Sequence, residues 1–309
     1  MISWVALAAA ACLASRAPPS PRPVVIWHGM GDTCCSPDSM GYIQTLIQDR
    51  VQDVFVHSVQ LALSDDDDRS AGFFGVVFDQ LETVCADLKT IPQLKNGFSA
   101  IGFSQGGLFL RAYAETCLDG PRIHNLVTFG TAHMGVADAP KCRDKNDANC
   151  LLMRALFRNG AYLNWVQHRS VQAQYFNDPQ NQEGYLSSNI FLPFVNNQVA
   201  SKKSSQYKTG LQALNKLALV RFADEETVVP AESSWFGYYD AELNIVNMEN
   251  QTLYIEDWLG IRWLNENGRV DRLTQSGGHM QIDEAFFNNT IIPNYLGNTL
   301  FPSDDKELK

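Results

Sequence analysis

Phe98-Ser99-Ala100-Ile101-Gly102-Phe103-Ser104-Gln105-Gly106-Gly107 is the stretch whose reading decides the architecture. The apolar run from Phe98 to Phe103 reads as a short buried strand. From Gly107 to Cys117 the pattern turns helical, with Leu108, Leu110, Arg111 and Ala114. Between them, Gly102-Phe103-Ser104-Gln105-Gly106 matches G-x-S-x-G at a strand–turn–helix junction, the setting in which a serine hydroxyl stands exposed above a sheet edge. The glycines keep Cβ atoms out of a tight turn. An ordinary glycine-rich turn would share the pattern but not the flanking strand and helix.

Moving outward, the same alternation recurs. Val24-Val25-Ile26-Trp27 is a compact strand breaking into His28-Gly29-Met30-Gly31-Asp32. Val54 to Leu61 reads as a second strand, and Gly72 to Leu88 as a helix with apolar residues at spacings of three and four. Ile123 to Phe129 is a further strand, and strand character returns at Leu217–Phe222 and Arg269–Leu273. Strand–helix–strand alternation predicts an α/β fold, a mostly parallel sheet flanked by helices. Between about 137 and 209 it lapses into Asn/Gln-rich sequence with one helical patch, Leu151 to Val166, read as a helical and loop insertion in a single domain spanning 18–309. The acid run Asp65 to Asp68 lacks the alternating ligands of a calcium loop and reads as a solvated loop.

Serine is a weak nucleophile without a base. Among six histidines, His57 and His124 fall in or beside strands, His168 falls in the insertion, and His28 follows a strand end where it would support the loop beside it. The chain order serine, acid, histidine of α/β-hydrolases requires a late base, and His279 in Gly277-Gly278-His279 leaves room for an acid on an intervening strand end. Leu217–Phe222 runs into Ala223-Asp224-Glu225-Glu226, so Asp224 or Glu225 is the expected acid. The oxyanion donors are expected to be the backbone N–H groups of Gln105 and of Met30.

Composition restricts the function classes. Of 309 residues 45% are apolar and 19% charged, enough to bury a large core. Lys+Arg is 24 against Asp+Glu 34, a net charge of −10, which argues against a nucleic-acid partner. Met1 to Ala17 has the length and shape of a secretory signal, cleaved near Ala14 or Ala17, and no later run approaches the roughly 18 apolar residues of a membrane span. Cys12 leaves with that segment, and six cysteines remain, an even count that suggests disulfides but leaves their pairing open. No C-x-x-C pair or His/Cys cluster occurs, so no metal is expected, and the chemistry calls for no cofactor. Sequons at Asn250 and Asn288 fit the secretory route.

Taken in order, Val25-Ile26-Trp27-His28-Gly29-Met30-Gly31-Asp32 with Cys34-Cys35, then Gly102-Phe103-Ser104-Gln105-Gly106-Gly107, then Val228-Val229-Pro230 with Trp235-Phe236-Gly237, resemble the lysosomal, type-one palmitoyl-protein thioesterase family, from about Pro23 to Leu296. The resemblance implies an α/β-hydrolase that removes long fatty acyl groups from cysteine thioesters, with Ser104 as nucleophile, His279 as base, and Met30 and Gln105 as oxyanion donors. It implies the pairs Cys34–Cys35, Cys85–Cys117 and Cys142–Cys150. It implies S-palmitoylated proteins or peptides and long-chain acyl thioesters as partners, and the secretory pathway, lysosome or secretion, as location. One departure matters: the family's acid is an Asp ten residues before the Trp of Trp-Phe-Gly, a register held here by Glu225, whereas the family's residue type stands one position earlier at Asp224.

A long acyl chain would bind by burial, at about 0.8 kcal/mol per CH₂. Leu151, Leu152, Leu156, Phe157, Leu163, Trp165, Val166, Phe191 and Phe194 are candidates to line its path, although most read first as the insertion's own core. A secreted lipase or carboxylesterase acting on oxygen esters would share every spacing, and a catalytically dead binding module would lack only the turnover.

Overall fold

Val24-Val25-Ile26-Trp27 is apolar without interruption because both its faces are covered. Val25 and Trp27 enter one core, Val24 and Ile26 the other. The computed structural model describes residues 20–138 and 160–297. Its strands are β1 (Val24–Trp27), β2 (Val56–Ser58), β3 (Phe98–Phe103), β4 (Ile123–Phe129), β5 (Lys216–Phe222), the short antiparallel ribbon of β6 (Tyr238–Tyr239) and β7 (Ile245–Val246), and β8 (Val270–Gln275). The six-stranded sheet runs β2-β1-β3-β4-β5-β8, every pair parallel. This is the α/β architecture expected from the alternation.

Helix α1 (Met40–Arg50) buries Met40, Ile43, Leu46 and Ile47 on one face of the sheet, beside Phe287, Ile291, Tyr295 and Leu296 of the C-terminal helix. Helix α2 (Asp65–Ala71) precedes α3 (Val77–Thr90), whose Val77, Leu81, Val84 and Leu88 recur at helical spacing and pack with α4 (Gln105–Thr116) on the opposite face. Cys85 of α3 is bonded to Cys117, the residue that closes α4, and Cys34 to Cys35. Cys142 and Cys150 lie outside the described residues, as do Met1 to Ala17.

Three elements differ from their expected form. The α3 helix starts at Val77 rather than Gly72, because Gly72 and Phe73 complete the turn that ends α2 and Phe74 then bridges Ser170 of the later chain: Gly75 donates to the Arg169 carbonyl and Val171 to the Phe73 carbonyl. The acid run is not a loop but opens α2. Ser64 caps it, accepting from the Asp67 N–H at 3.2 Å while its hydroxyl donates back to the Asp67 carboxylate at 2.7 Å. Between β4 and β5, short helices at Asn164–Gln167, Gln182–Ser188, Leu192–Val195 and Ser205–Gln212 stand where mostly loops were expected. Buried amides pin them: Gln167 donates to the carbonyls of Ala161 and Ala173, Asn189 to that of Phe176, and Asn177 to that of Met134. A polar composition thus folds by satisfying its backbone with side chains.

This connection is anchored to α4 by Arg111, fully buried, which donates to Glu115 at 3.2 Å and to Asn196 at 2.7 Å. Burial holds the Glu115 carboxyl well above its ordinary range despite the neighbouring guanidinium.

The Cys85–Cys117 bond closes a loop of 32 residues, worth roughly 3–4 kcal/mol in the chain-entropy picture. Replacing both cysteines by alanine is expected to lower the thermal midpoint by about 10 °C while leaving the chain folded at 25 °C. Scanning calorimetry checks this, and an unchanged midpoint would contradict it.

Candidate active site

Parallel strands end on one edge, and that is why residues far apart in sequence meet. Ser104 follows β3, the loop around Met30 follows β1, Glu225 follows β5 and His279 follows β8. β1 and β3 are neighbours, with Trp27 opposite Gly102. β5 and β8 are neighbours, with Phe222 opposite Gln275. The chain leaves β1 toward β2 on one side and returns to β3 on the other, so Ser104 stands at the point where strand order reverses, the crevice in which open α/β sheets bind ligands.

Ser104 has φ 53° and ψ −121°, a region that costs a non-glycine residue of order 1–3 kcal/mol. Its N–H donates to the Phe129 carbonyl at 2.7 Å, and its own carbonyl accepts from the Thr131 hydroxyl at 2.8 Å. A Cβ on Gly102 would collide with the Gly107 backbone, and one on Gly106 with the carbonyls of Trp27 and His28. Both glycines of the motif are therefore demanded by close approach of α4 to β1 and β3.

His279 Nε2 lies 3.0 Å from Ser104 Oγ, and its Nδ1 lies 2.7 Å from Glu225 Oε2. With Nδ1–H donating to the carboxylate, Nε2 is the nitrogen left to accept from the serine hydroxyl. The Glu225 side chain is fully buried, and its other oxygen accepts from the N–H groups of Thr227 and Val228 at 2.8 and 3.0 Å. The Val228-Val229-Pro230 motif thus seats the acid. Asp224 is exposed, and its N–H donates to the Gly277 carbonyl. Of the two expected acids the geometry brings Glu225, not Asp224, to the imidazole.

Gln105 is the first residue of α4, so its N–H has no partner within the helix. Its side chain is buried and held from three directions: Nε2 donates to the Gly72 carbonyl at 3.0 Å, while Oε1 accepts from the Tyr175 hydroxyl at 3.1 Å and from Gln172 at 3.3 Å. Met30 lies in the turn after β1. Its neighbour Gly29 packs so closely on Ser104 that an added Cβ would lie 3.2 Å from the serine Cβ, and Gly31 turns at φ +78°. Gly130, also at positive φ, leaves room for the imidazole: a Cβ there would lie 3.0 Å from His279 Nδ1.

The remaining candidates scatter. His168 is exposed and bonded to Asn164 at 2.8 Å; His57 and His124 sit on strands β2 and β4. His133 is buried, 3.0 Å from the Thr128 hydroxyl and stacked on Phe236. Of the residues proposed to line an acyl path, Val166 and Phe191 are core, Phe194 is half-buried, and Leu163 and Trp165 are half-exposed. Leu151, Leu152, Leu156 and Phe157 lie outside the described residues. Two groupings of ligand-type atoms occur among the described residues, around Cys34–Cys35 with Asp65 and Cys85–Cys117 with Asp119. Their cysteines are spent in disulfides and offer no thiolate.

One residue near the site was missed from sequence. Asp68, in the run read as solvated, is fully buried and lies 3.4 Å from His28. The Ser64–Asp67 spacing was a legible helix-start signal, but which acid of that helix turns inward is a tertiary matter.

Gly130→Ala is expected to displace the imidazole by a few tenths of an ångström and to lower kcat by up to about 10²-fold. Steady-state kinetics on folded protein checks this, and wild-type kcat would refute the crowding.

The palmitoyl protein thioesterase family model matches residues 23–279. Palmitoyl-protein thioesterase 1 of Caenorhabditis elegans is 43% identical over 276 residues, covering 89% of this chain and 91% of that one. Palmitoyl-protein thioesterase 3 of Dictyostelium discoideum is 30% identical over 284 residues, covering 90% and 93%. The mouse lysosomal thioesterase PPT2 is 25% identical over 263 residues, covering 83% and 81%. With the family match running from the first strand to the histidine at the serine, the chain belongs to the palmitoyl protein thioesterase family of thioester hydrolases.

Proposed function

We propose that this enzyme removes palmitoyl and similar long acyl chains from S-acylated cysteines of proteins or peptides, with Ser104 as nucleophile, His279 as general base and acid, and Glu225 as the acid that orients it. The observation that carries the assignment is the unbroken relay of 3.0 Å from Ser104 Oγ to His279 and 2.7 Å from His279 to Glu225. Ser104 Oγ attacks the thioester carbonyl as its proton passes to His279 Nε2, and the carbonyl π pair moves onto oxygen. The N–H groups of Met30 and Gln105 receive that oxyanion. Collapse of the intermediate expels the cysteine sulfur, which takes the proton from His279. A thiol of pKa about 8.5 leaves with less proton assistance than an alcohol or amine. Water then attacks the acyl-serine as its proton passes to His279, and collapse of this second intermediate breaks the acyl–Oγ bond, returns the proton from His279 to Ser104 Oγ and releases the fatty acid.

Glu225 stabilises the imidazolium formed at each stage, and its buried seat between Thr227 and Val228 keeps the carboxylate aimed. The exposed Leu163 and Trp165 are available to an acyl chain, whereas Val166 and Phe191 act as packing. The protein works as one domain carrying its insertion at about 137–209.

Hydrolysis of a palmitoylated cysteine peptide by the purified chain is the direct test. Ser104→Ala and His279→Ala should each remove most turnover, and the double variant should lose little more. Glu225→Gln should lose about 10⁴-fold in kcat, and Asp224→Asn less than threefold. The reverse ranking would move the acid to Asp224. Faster turnover of a chain-matched oxygen ester would instead favour a carboxylesterase or lipase.

The location we propose is the secretory pathway, ending in the lysosome. Two disulfides among the described residues need an oxidising compartment, and the mouse relative is named lysosomal. Asn250 is exposed, whereas Asn288 is 8% exposed with its amide on Glu284. Glycopeptide mapping of the secretory form is expected to find a glycan at Asn250 and none at Asn288. A fully occupied Asn288 would contradict its packing.

A further inference from the structure

Asp68 sends its two carboxylate oxygens to backbone groups from two other segments. Oδ2 accepts from the Cys34 N–H at 2.9 Å, and Oδ1 from the Leu61 N–H at 2.7 Å. Oδ2 also lies 3.4 Å from His28 Nε2, and both side chains are almost completely buried. On the other side of the ring, His28 Nδ1 lies 2.9 Å from the Gly29 carbonyl. Each ring nitrogen faces an oxygen that can only accept, an arrangement suited to the doubly protonated imidazolium.

His28 and Cys34 bracket the loop Gly29–Thr33, and Asp68 touches both. Met30 is in the middle of that loop, and Gly29 is seated on Ser104. Asp32 braces the loop from within, accepting from the Thr33 N–H at 2.8 Å and the Ser39 hydroxyl at 2.7 Å. Phe73 closes against Gly31 from outside.

We propose that the His28–Asp68 pair is a positioning device for the second oxyanion donor, holding both ends of the Gly29–Thr33 loop so that the Met30 N–H faces the thioester oxygen as it gains charge. The proposal rests on the assignment of Met30 as a donor and deepens it. Neither residue is a catalytic residue: both act through the loop.

The charge state follows from the surroundings. Burial works against the imidazolium, but Asp68, the Gly29 carbonyl and Asp32 outweigh it and raise His28 above its ordinary 6.5. Burial likewise opposes the carboxylate, but His28 and the N–H groups of Cys34 and Leu61 hold Asp68 below its ordinary 3.8. The other charged groups of α2 look to solvent: Arg69 pairs with Asp66, Asp67 with Ser64, and Asp65 is exposed. A raised histidine contributes fully below its unfolded pKa and loses its contribution as pH rises through the folded one. A depressed carboxylate loses its contribution as pH falls through the folded one. The clamp therefore contributes fully between pH 3.8 and 6.5, a span that includes the pH of an acidic compartment, and it loosens as pH rises through the raised His28 value or falls through the lowered Asp68 value.

His28→Gln removes the charged partner and keeps a polar side chain. Two probes separate loop positioning from general damage. A long-chain acyl trifluoromethyl ketone forms a tetrahedral oxyanion on Ser104 and reads the donors. A hexadecyl thioether of the same cysteine peptide has no carbonyl and reads acyl binding alone. At pH 5 the variant is expected to bind the ketone about tenfold more weakly, to bind the thioether within twofold of wild type, and to lose kcat at similar KM. The wild-type advantage for the ketone should shrink at pH 8. Equal weakening of both probes, no weakening of the ketone, or the same advantage at both pH values would overturn the proposal. If thermal melting shows His28→Gln unfolded, Asp68→Asn takes its place, because its NH₂ would face one of the two N–H groups, of Cys34 or Leu61, that now meet separate carboxylate oxygens. Loss of these effects with Ser104-dependent turnover intact defeats the clamp alone, whereas turnover surviving Ser104→Ala defeats the parent assignment.

Discussion

Ser104 occupies a backbone conformation that an L-residue resists, and the molecule around it is arranged to keep it there. The Phe129 carbonyl and the Thr131 hydroxyl hold its two peptide groups. Gly102 and Gly106 allow α4 to press onto β3 and β1, and Gly107 lets it approach Thr128 and Thr131 at the end of β4. What results is a side chain lifted off the sheet edge at the head of a helix, where the Gln105 N–H has no partner within α4. The proposed nucleophile and one proposed oxyanion donor are consecutive residues, so a single turn would supply both.

The partners arrive through sheet topology. Because the strands are parallel, their C-terminal ends share an edge, and β5 and β8 deliver Glu225 and His279 to it as neighbours. Beneath that edge Phe103 stacks on Phe129 and Phe222 lies tilted against Phe129, with His279 edge-on to Phe222. A rigid aromatic floor under the imidazole is a physical reason for its fixed aim. The acid is met by two backbone N–H groups from the turn that follows it, which fixes its direction independently of the histidine.

Polar groups do much of the locking. Gln105 is held by Gly72, Gln172 and Tyr175, the last two from the connection between β4 and β5. Asp68 ties the turn after β1 to α2 and to the segment after β2. The site is thus braced by the segments least regular in the sequence, and buried amides replace the hydrogen bonds that strands and long helices would make.

Much of this was legible in the chain itself. The strand runs are apolar because both faces are buried, the G-x-S-x-G turn sits where β3 meets α4, and His279 follows the last strand. Local pattern suffices there because each feature is a property of a few consecutive residues. The ten-residue register to Trp235, read through the family resemblance, favoured Glu225 over the family's residue type at Asp224, and the fold adds why: the turn at Thr227–Val228 receives the Glu225 carboxylate. The helices between β4 and β5 were hidden because short helices pinned by distant carbonyls carry little periodicity of their own. Asp68 was hidden for the same reason. Four adjacent acids look alike in sequence, and only the packing of α2 against the Met30 loop decides which one is removed from water and paired with His28. The chain therefore determined its strands, its elbow, its candidate serine and base and the register that favours Glu225, whereas contacts between segments far apart in sequence decided the seat of that carboxylate at the imidazole, the Gly130 clearance and the His28–Asp68 pair, because burial and hydrogen-bond partnership belong to the assembled fold.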